Sequence, residues 1–260
     1  MILIFLLSVF IFVLGVCIGS FLNCVIYRLE NEKTLTGRSF CPNCRHSLSW
    51  QDLFPIFSFI FLGGKCRYCR KKISIQYPLI EIFTGLIFLA IFYIIGAPVS
   101  SRDFLDIIFL FYIASSLIVI FVYDLKHYEI PDKILFPAIA VTLVLRLVFD
   151  FRSILNFIVA TAMAAGFFFS IWFFSKGRWM GFGDVKLAVL MGLLLGFYNT
   201  LVALFLAFFF GAIISIILIA FYGKKLKSEV PFGPFLIAGT FVGLFWGSQV
   251  IQWYSNFFQI

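Results

Sequence analysis

The sequence predicts an all-α polytopic membrane protein of about eight transmembrane helices, with one small cytoplasmic insert after the first helix. Of its 260 residues, 63% are hydrophobic and 12% are charged, whereas soluble proteins are about half apolar and about a quarter charged. A spanning helix needs roughly 20 apolar residues, so eight would use about 160 and leave about 100 in contact with water. Any chemistry has to lie in those short segments.

Uninterrupted apolar runs predict where the helices lie along the chain. The sixth run is short for a full crossing, and it spans only if Asp184 and Tyr198 lie near the two membrane surfaces. The first run could be taken for a cleavable signal peptide, but the basic residues follow it instead of preceding it, so we expect a retained anchor. The chain then divides into a first helix at 1–27, an insert at 28–77 and a helical domain at 78–260. The predicted helices are at 2–24, 78–95, 104–123, 133–149, 153–175, 185–197, 200–222 and 234–254.

The distribution of Lys and Arg predicts the orientation of these helices. Nine of the 20 basic residues lie in the insert, and eight more lie in the turns at 124–133, 175–186 and 223–230. Lys and Arg are enriched in cytoplasmic loops, so these residues place the insert and the turns in the cytoplasm and both termini outside. The net charge of +8 then follows from membrane topology and requires no nucleic-acid partner.

Four cysteines in the insert form a predicted metal site. They are two C-x-x-C pairs, Cys41 with Cys44 and Cys66 with Cys69, and 21 residues separate the pairs. That spacing is typical of a closed, structural tetrahedral zinc site with no open position for a substrate. Two disulfides are the alternative, although disulfides are rare in the reducing cytoplasm. An insert of about 50 residues with few core residues would take much of its folding free energy from bound zinc.

Two aspartates stand out among the 12 acidic residues. Asp124 ends one apolar run and Asp184 precedes another, so both are expected at the cytoplasmic surface of the membrane. Like charges a few ångströms apart cannot both ionise cheaply, so one carboxyl stays protonated while the other activates a water against a peptide carbonyl. Gly181 and Gly183 would let an extended peptide backbone come close to Asp184. The pattern indicates aspartic-protease chemistry.

Other interpretations of these residues are open at this point. Both aspartates could be interfacial helix caps, and Asp184 would be a suitable N-cap for the helix after it. Asp124, Asp184 and Glu81 could form a proton or cation path in a zinc-stabilised transporter or scaffold, although such a path predicts carboxylates nearer the middle of the bilayer. The glycines at 181 and 183 do not make a nucleotide-binding fingerprint, because the third glycine and the preceding strand are missing.

Together, the motifs of the chain resemble those of the bacterial type IV prepilin peptidases, also called prepilin leader peptidase and N-methyltransferase. The resemblance covers nearly the whole chain, in the family's order and approximate spacing. Glu30 is a departure, since the family commonly has Pro there, and it changes only the geometry of a loop. The matching motifs are GSFLN at 19–23, VIYR at 25–28, the two C-x-x-C pairs, YPLIE at 77–81, Asp124 with IPD at 130–132, GFGDVK at 181–186 and PFGP at 231–234.

The resemblance implies a GxGD-type aspartic protease of the bacterial inner membrane, whose active site faces the cytoplasm. Asp124 and Asp184 match the family's catalytic pair. The implied partners are the lipid bilayer and the membrane-bound prepilins and pseudopilins, whose short basic leader is removed by a cut after a Gly. In many members the same protein then methylates the new N-terminal amine from S-adenosylmethionine, an activity associated with the tetracysteine region. Because all four cysteines are present, we predict both activities, and a peptidase whose zinc module only braces the fold is the alternative.

Two further carboxylates have predicted roles in this scheme. Glu81, at the start of the second predicted span, is expected to bind a cationic group such as the new α-amine or the sulfonium of the methyl donor. Its alternative role is that of a helix N-terminal carboxylate stabilised by the helix dipole. Asp132, in the IPD motif, is a candidate for positioning the substrate or a water.

Overall fold

The computed structural model describes residues 2–222 and 231–258. Within these residues the chain forms α-helices, which are joined by short connections except where the insert lies between α1 and α3. The only β-pairing among them is two isolated bridges in the insert. The predicted cytoplasmic turn at 223–230, with three lysines and Glu229, lies outside the described residues. The helices are α1 Ile2–Glu30, α2 Phe57–Phe61, α3 Gln76–Ile95, α4 Ser101–His127, α5 Asp132–Phe149, α6 Ile154–Ser175, α7 Phe182–Leu195, α8 Phe197–Tyr222 and α9 Gly233–Phe258.

A helix forms at each of the eight predicted runs, which confirms the all-α polytopic fold class. Among the described residues, six helices are long and apolar enough to cross a membrane, namely α1, α3, α4, α6, α8 and α9. The other two helices, α5 and α7, do not meet this description, each for its own reason. α5 carries Asp132, Lys133 and Arg146 within 18 residues. α7 has 14 residues, about 21 Å of helix against a hydrocarbon core of about 30 Å.

The chain divides into two compact units, Met1–Val119 and Ile120–Ile260. In the first unit, α1 packs against α3 through small residues. A Cβ built at Gly15 would lie 2.8 Å from the Cα of Gly85, and one at Gly19 would lie 2.7 Å from the Cα of Glu81. Small residues four positions apart allow two helix backbones to approach closely. This packing holds the backbone of Glu81 directly against α1.

The insert between α1 and α3 contains two knuckles with the same local geometry. The amide of Arg45 donates to the carbonyl of Cys41 over 2.9 Å, and the amide of Arg70 donates to the carbonyl of Cys66 over 3.0 Å. Both arginines have left-handed backbone conformations, with φ of 58° and 59°. Each C-x-x-C pair is therefore closed by the same tight turn.

In the second unit, α5 and α7 run in the same direction. At their starts, Asp132 forms an ion pair with Lys186. At their ends, the guanidinium of Arg146 donates to the carbonyls of Leu193 and Leu194 over 3.2 and 2.8 Å. Because a short connection joins α4 to α5, the end of α4 and the starts of α5 and α7 lie at the same end of this unit.

Candidate active site and metal centre

Asp124 is buried in the last turn of α4, with 4% of its surface exposed. A carboxylate there opposes the helix dipole, which favours cations at a C-terminus. Its Oδ2 atom is buried and has no hydrogen-bond partner among the described residues. An unsatisfied buried polar group costs about 1–3 kcal/mol, and more when it is charged. Asp124 is therefore not a helix cap, and its free oxygen points to a role other than stabilising the fold.

Gly233, the first residue of α9, packs directly against Asp124. A Cβ at this position would overlap Oδ2 of Asp124 and would lie 3.1 Å from its Cγ. The backbone amide of Gly233 also faces the carboxylate. The PFGP motif at 231–234 is thus part of the site. Its glycine keeps one side of the Asp124 carboxylate clear, a role that the motif alone did not predict.

Asp184 lies in the first turn of α7 and is also buried, with 8% of its surface exposed. The N-cap of α7 is Gly181, so Asp184 is the third residue of the helix, and no side-chain hydrogen bond caps the helix. The interpretation of Asp184 as an N-cap is therefore wrong. A carboxylate in a first turn is favoured by the helix dipole, whereas one at the end of α4 is not, so the two aspartates have different local fields.

The structure brings Asp124 and Asp184 together within the second unit. The two carboxyl groups are close enough for the charge of Asp124 to act on Asp184. Ile130 lies between the start of α7, which carries Asp184, and the start of α9, which packs against Asp124. Its side chain is 3.1 Å from a Cβ built at Gly183 and 3.6 Å from one built at Gly233. Residues distant in sequence therefore surround one pair of buried carboxyls.

The two glycines of the GFGD motif have different surroundings. At Gly181 a Cβ would meet only the backbone nitrogen of Gly183, 3.9 Å away, and the φ of −71° and ψ of 150° suit any residue. The fold does not require Gly181, and the space beside it is open. At Gly183 a Cβ would press on Ile130. Open space next to a buried carboxyl pair is what an extended peptide would need.

Asp132 lies at the start of α5, and its side chain is 53% exposed. It forms an ion pair with Lys186, whose ammonium also lies 5.5 Å from the ring centre of Phe136 and 5.9 Å from that of Phe182. The ion pair ties the start of α5 to the start of α7, two residues beyond Asp184. Asp132 thus lies beside the carboxyl pair but is already engaged with a cation.

The four cysteines of the insert come together as the spacing predicts. Their sulfur atoms all lie within 4.8 Å of one another, and the sulfurs of Cys41 and Cys69 are 3.9 Å apart. In a tetrahedral site with zinc–sulfur bonds of about 2.3 Å, neighbouring sulfurs are about 3.8 Å apart. A disulfide needs a separation of about 2.05 Å. The cluster therefore fits one metal ion and not a pair of disulfides.

The four thiols affect one another's acidity. Burial by itself would raise the pKa of Cys41. The backbone amides of Cys44 and Asn43 and the thiols of Cys66 and Cys44 donate hydrogen bonds to its sulfur, however, and these lower its pKa to about 7. The amide of His46 favours the thiolate of Cys44, yet burial, its hydrogen bonds to neighbouring thiols and the charge of Cys41 raise its pKa to about 11. The thiols therefore do not all ionise near neutral pH unless a cation compensates.

Asp52 joins the segment that follows the first knuckle to the second knuckle, a contact that no sequence pattern predicted. Its side chain is 4% exposed, and it accepts hydrogen bonds from Arg67 at 2.7 Å, Tyr68 at 3.0 Å and the Ser49 hydroxyl at 2.8 Å. Burial would raise the pKa of Asp52, but these donors outweigh it and lower the pKa to about 2. The ring of Tyr68 also lies 3.7 Å from that of His46. These contacts hold the second knuckle against the first.

Glu81 is buried on α3, with 5% of its surface exposed. It is the sixth residue of the helix, so it lies beyond the first turn, where the helix dipole acts. The alternative of a dipole-stabilised N-terminal carboxylate is therefore wrong. Its Oε2 instead accepts the amide of Ile56 over 2.7 Å. Ile56 has a φ of 62°, which is a strained conformation for a β-branched residue. Glu81 thus anchors a strained turn of the insert to α3.

Comparison with known proteins gives two family matches. Residues 13–95 match the bacterial peptidase A24 N-terminal domain, and residues 111–216 match the type IV leader peptidase family. The prepilin leader peptidase/N-methyltransferase of Burkholderia pseudomallei (strain 1026b) is 30% identical over 275 residues, covering 92% of this chain and 85% of that protein. The protein of the same name from Aeromonas hydrophila is 28% identical, covering 95% of this chain and 93% of that protein. The one from Legionella pneumophila is 29% identical, covering 94% of this chain and 92% of that protein. No solved structure matches the chain.

Proposed function

Because the chain belongs to the type IV leader peptidase family, we propose that it is a membrane aspartic endopeptidase that removes the leader peptide of prepilins and pseudopilins. In the same proposal it then methylates the new N-terminal amine. The observation that supports cleavage best is the buried pair of Asp124 and Asp184. Both lie at helix ends, the charge of Asp124 acts on Asp184, and one oxygen of Asp124 has no hydrogen-bond partner among the described residues.

The proposed chemistry uses the two aspartates as one unit that holds a single proton. The ionised carboxylate removes a proton from a water, whose oxygen adds to the carbon of the scissile carbonyl. The protonated carboxyl donates to the carbonyl oxygen. When the carbon–nitrogen bond breaks, the carboxyl that took the proton from the water gives it to the leaving amine, and the other carboxylate recovers a proton from a hydroxyl of the tetrahedral intermediate. The open space beside Gly181 is where the extended substrate backbone would lie.

The position of the pair suits a substrate that is itself in the membrane. Both aspartates lie at helix ends and neither lies in the middle of a span. A prepilin whose apolar helix lies in the bilayer would present its scissile bond at that depth. We propose that this end of the second unit faces the cytoplasm, since the turns around it are rich in Lys and Arg. A transporter path would instead require carboxylates near the middle of the bilayer.

We assign the second activity, methylation, to the region of the insert. Cys41, Cys44, Cys66 and Cys69 would hold a structural Zn²⁺, which fixes the two knuckles relative to each other. S-adenosylmethionine supplies the methyl group when bound. Glu81, buried below the insert, would hold a cationic group, either the new α-amine or the sulfonium of the donor.

Glu81→Gln tests the proposed charge interaction separately from the hydrogen bond to Ile56. The amide oxygen of Gln can still accept from the Ile56 backbone, so the turn should be retained. We expect methylation to fall at least about tenfold, because hydrogen bonds to charged groups contribute about 1.5–3 kcal/mol. The measurement is transfer of labelled methyl groups to a processed pilin, with zinc content as the control for folding. Methylation at an unchanged rate would leave Glu81 only as the anchor of Ile56.

Gly233→Ala tests the approach of α9 to Asp124. The added methyl overlaps Oδ2 of Asp124, so the carboxylate has to rotate away, and displacements of about 1 Å can reduce a reaction rate about 100-fold. We expect leader removal to slow by about that factor. The matched control is Gly166→Ala on α6, where a Cβ meets no atom within 4 Å. Equal cleavage rates for the two variants would mean that Gly233 does not shape the catalytic pair.

A direct assay of both activities tests the proposed function. The purified protein is placed in phospholipid vesicles with a prepilin and radiolabelled S-adenosylmethionine. We expect a shorter pilin that carries the label on its new N-terminal amine. A shortened pilin without label would show a peptidase only, and no shortening at all would refute the proposed function.

A further inference from the structure

The segment between the two knuckles exposes a continuous row of large apolar side chains. We call Trp50, Leu53, Phe54, Phe57, Ile60 and Phe61 the apolar strip. Trp50 is 73% exposed and Phe61 is 84% exposed, and no residue of α2 or of the turn Trp50–Leu53 is buried. The rings of Phe54, Phe57 and Phe61 follow one another at 6.1 and 6.5 Å. A water-soluble insert of this size would not expose so many adjacent aromatic rings.

The strip is attached to a helix that crosses the membrane. Ile56, which lies between the strip residues Phe54 and Phe57, donates its amide to Oε2 of Glu81 over 2.7 Å. Glu81 is the sixth residue of α3, which is long and apolar enough to span a bilayer. Glu81 is five residues after the first residue of α3, which is about 7.5 Å along the helix. The hydrogen bond therefore holds the strip beside α3 at a point about 7.5 Å past the start of that helix. On the same helix, Leu79 and Phe83 are exposed as well.

A cluster of cations follows the strip along the chain. The basic residues around and after the second knuckle are all exposed. Apolar residues beside a row of cations are the pattern of segments that lie in the interface of a membrane with anionic lipids. Asp52, the one acidic residue between Trp50 and Phe61, is turned inward onto Arg67, Tyr68 and Ser49. The cations that this leaves for the lipid are Lys65, Arg70, Lys71 and Lys72, because Arg67 is paired with Asp52.

We propose that the apolar strip is inserted in the lipid bilayer, with its side chains among the acyl chains and the following cations at the lipid phosphates. The insert is then held to the membrane in three places, at α1, at α3 and at the strip between its knuckles. Its metal cluster stays at the membrane surface, where the N terminus of a membrane-bound substrate lies. This last consequence rests on the proposed function, whereas the insertion itself does not.

Photocrosslinking to lipid tests the proposal with the full-length protein. The protein is reconstituted in vesicles of phosphatidylethanolamine and phosphatidylglycerol that contain a phospholipid with a diazirine on its acyl chain. After illumination, trypsin releases residues 46–65, which carry the whole strip, and residues 34–38 from the same insert. We expect lipid adducts on 46–65 at least about fivefold above those on 34–38, and within about threefold of those on residues 1–28 of α1.

Two variants give the matched comparison. Phe61→Asp places a charge in the strip, whereas Leu35→Asp places one at a residue of the insert that is 55% exposed and outside the strip. Adducts on 46–65 should fall several-fold in Phe61→Asp only, at unchanged zinc content. Adducts on 46–65 no higher than on 34–38 in the original protein would overturn the proposal. Loss of these adducts when a prepilin is added would also overturn it, because the strip would then be a binding surface for the substrate helix.

Discussion

Changing either Asp124 or Asp184 to Asn is expected to lower the rate of leader removal at least about 1,000-fold. Each change removes an acid or base that speeds the reaction by a factor of about 10²–10⁴, and it also prevents the pair from sharing a proton. Asn is close to Asp in size, so the packing of Gly233 and Ile130 around the site should be kept. The measurement is cleavage of a prepilin in vesicles under single-turnover conditions. Methylation of a pilin that is already processed should continue in both variants.

Asp106→Asn is the matched control for this prediction. Asp106 lies on α4, the same helix as Asp124, and forms an exposed ion pair with Arg102. Exposed pairs of this kind contribute about 0–1 kcal/mol, so cleavage should change by less than about threefold. If Asp106→Asn reduced cleavage as much as Asp124→Asn, the loss would be due to a damaged helix and not to a missing catalytic group.

Removal of zinc is expected to separate the two activities. A chelator, or Cys41→Ser, should unfold the insert and reduce methylation at least about tenfold, because bound metal supplies much of the folding free energy of a small module. Cleavage should decline later, since the two aspartates proposed to be catalytic belong to the unit Ile120–Ile260, which is compact in itself. The measurements are metal content, cleavage rate and methylation rate for the same sample.

Cys17→Ser is the control for the cysteine variant. Cys17 is exposed on α1 and lies outside the sulfur cluster, so its loss should change neither zinc content nor methylation. The proposed role of the metal would be contradicted if Cys41→Ser released zinc and methylation continued at the original rate. If cleavage and methylation were lost together as the metal is removed, the independence of the two regions would be contradicted.

Much of the architecture can be predicted from the sequence because the bilayer imposes a length and a polarity on each helix. All eight predicted runs form helices, and the spacing of the cysteines predicted their cluster. The scarcity of carboxylates at membrane depth singled out Asp124 and Asp184, but their burial was not predicted. Their approach to one another required the tertiary fold, in which the parallel course of α5 and α7 places both helix ends together.

The features that the sequence analysis missed are contacts between residues far apart in the chain. Gly233 packs against Asp124 although the two residues are over 100 positions apart in the chain, and no local sequence pattern predicts such a contact. The anchoring of Ile56 by Glu81 depends on a strained turn in the insert. Composition did contain a signal for the apolar strip, since residues 50–62 are mostly aromatic or aliphatic, but the segment is too short to be predicted as a span.

The central claim is that Asp124 and Asp184 act as one unit, and the measurement that tests it most directly is the single-turnover cleavage rate of both single Asn variants and of the double variant. Groups that share one proton are not additive, so the double variant should cleave within about threefold of the slower single variant. Full cleavage by either single variant would contradict the claim. A double variant slower by the product of the two single losses would show two independent groups.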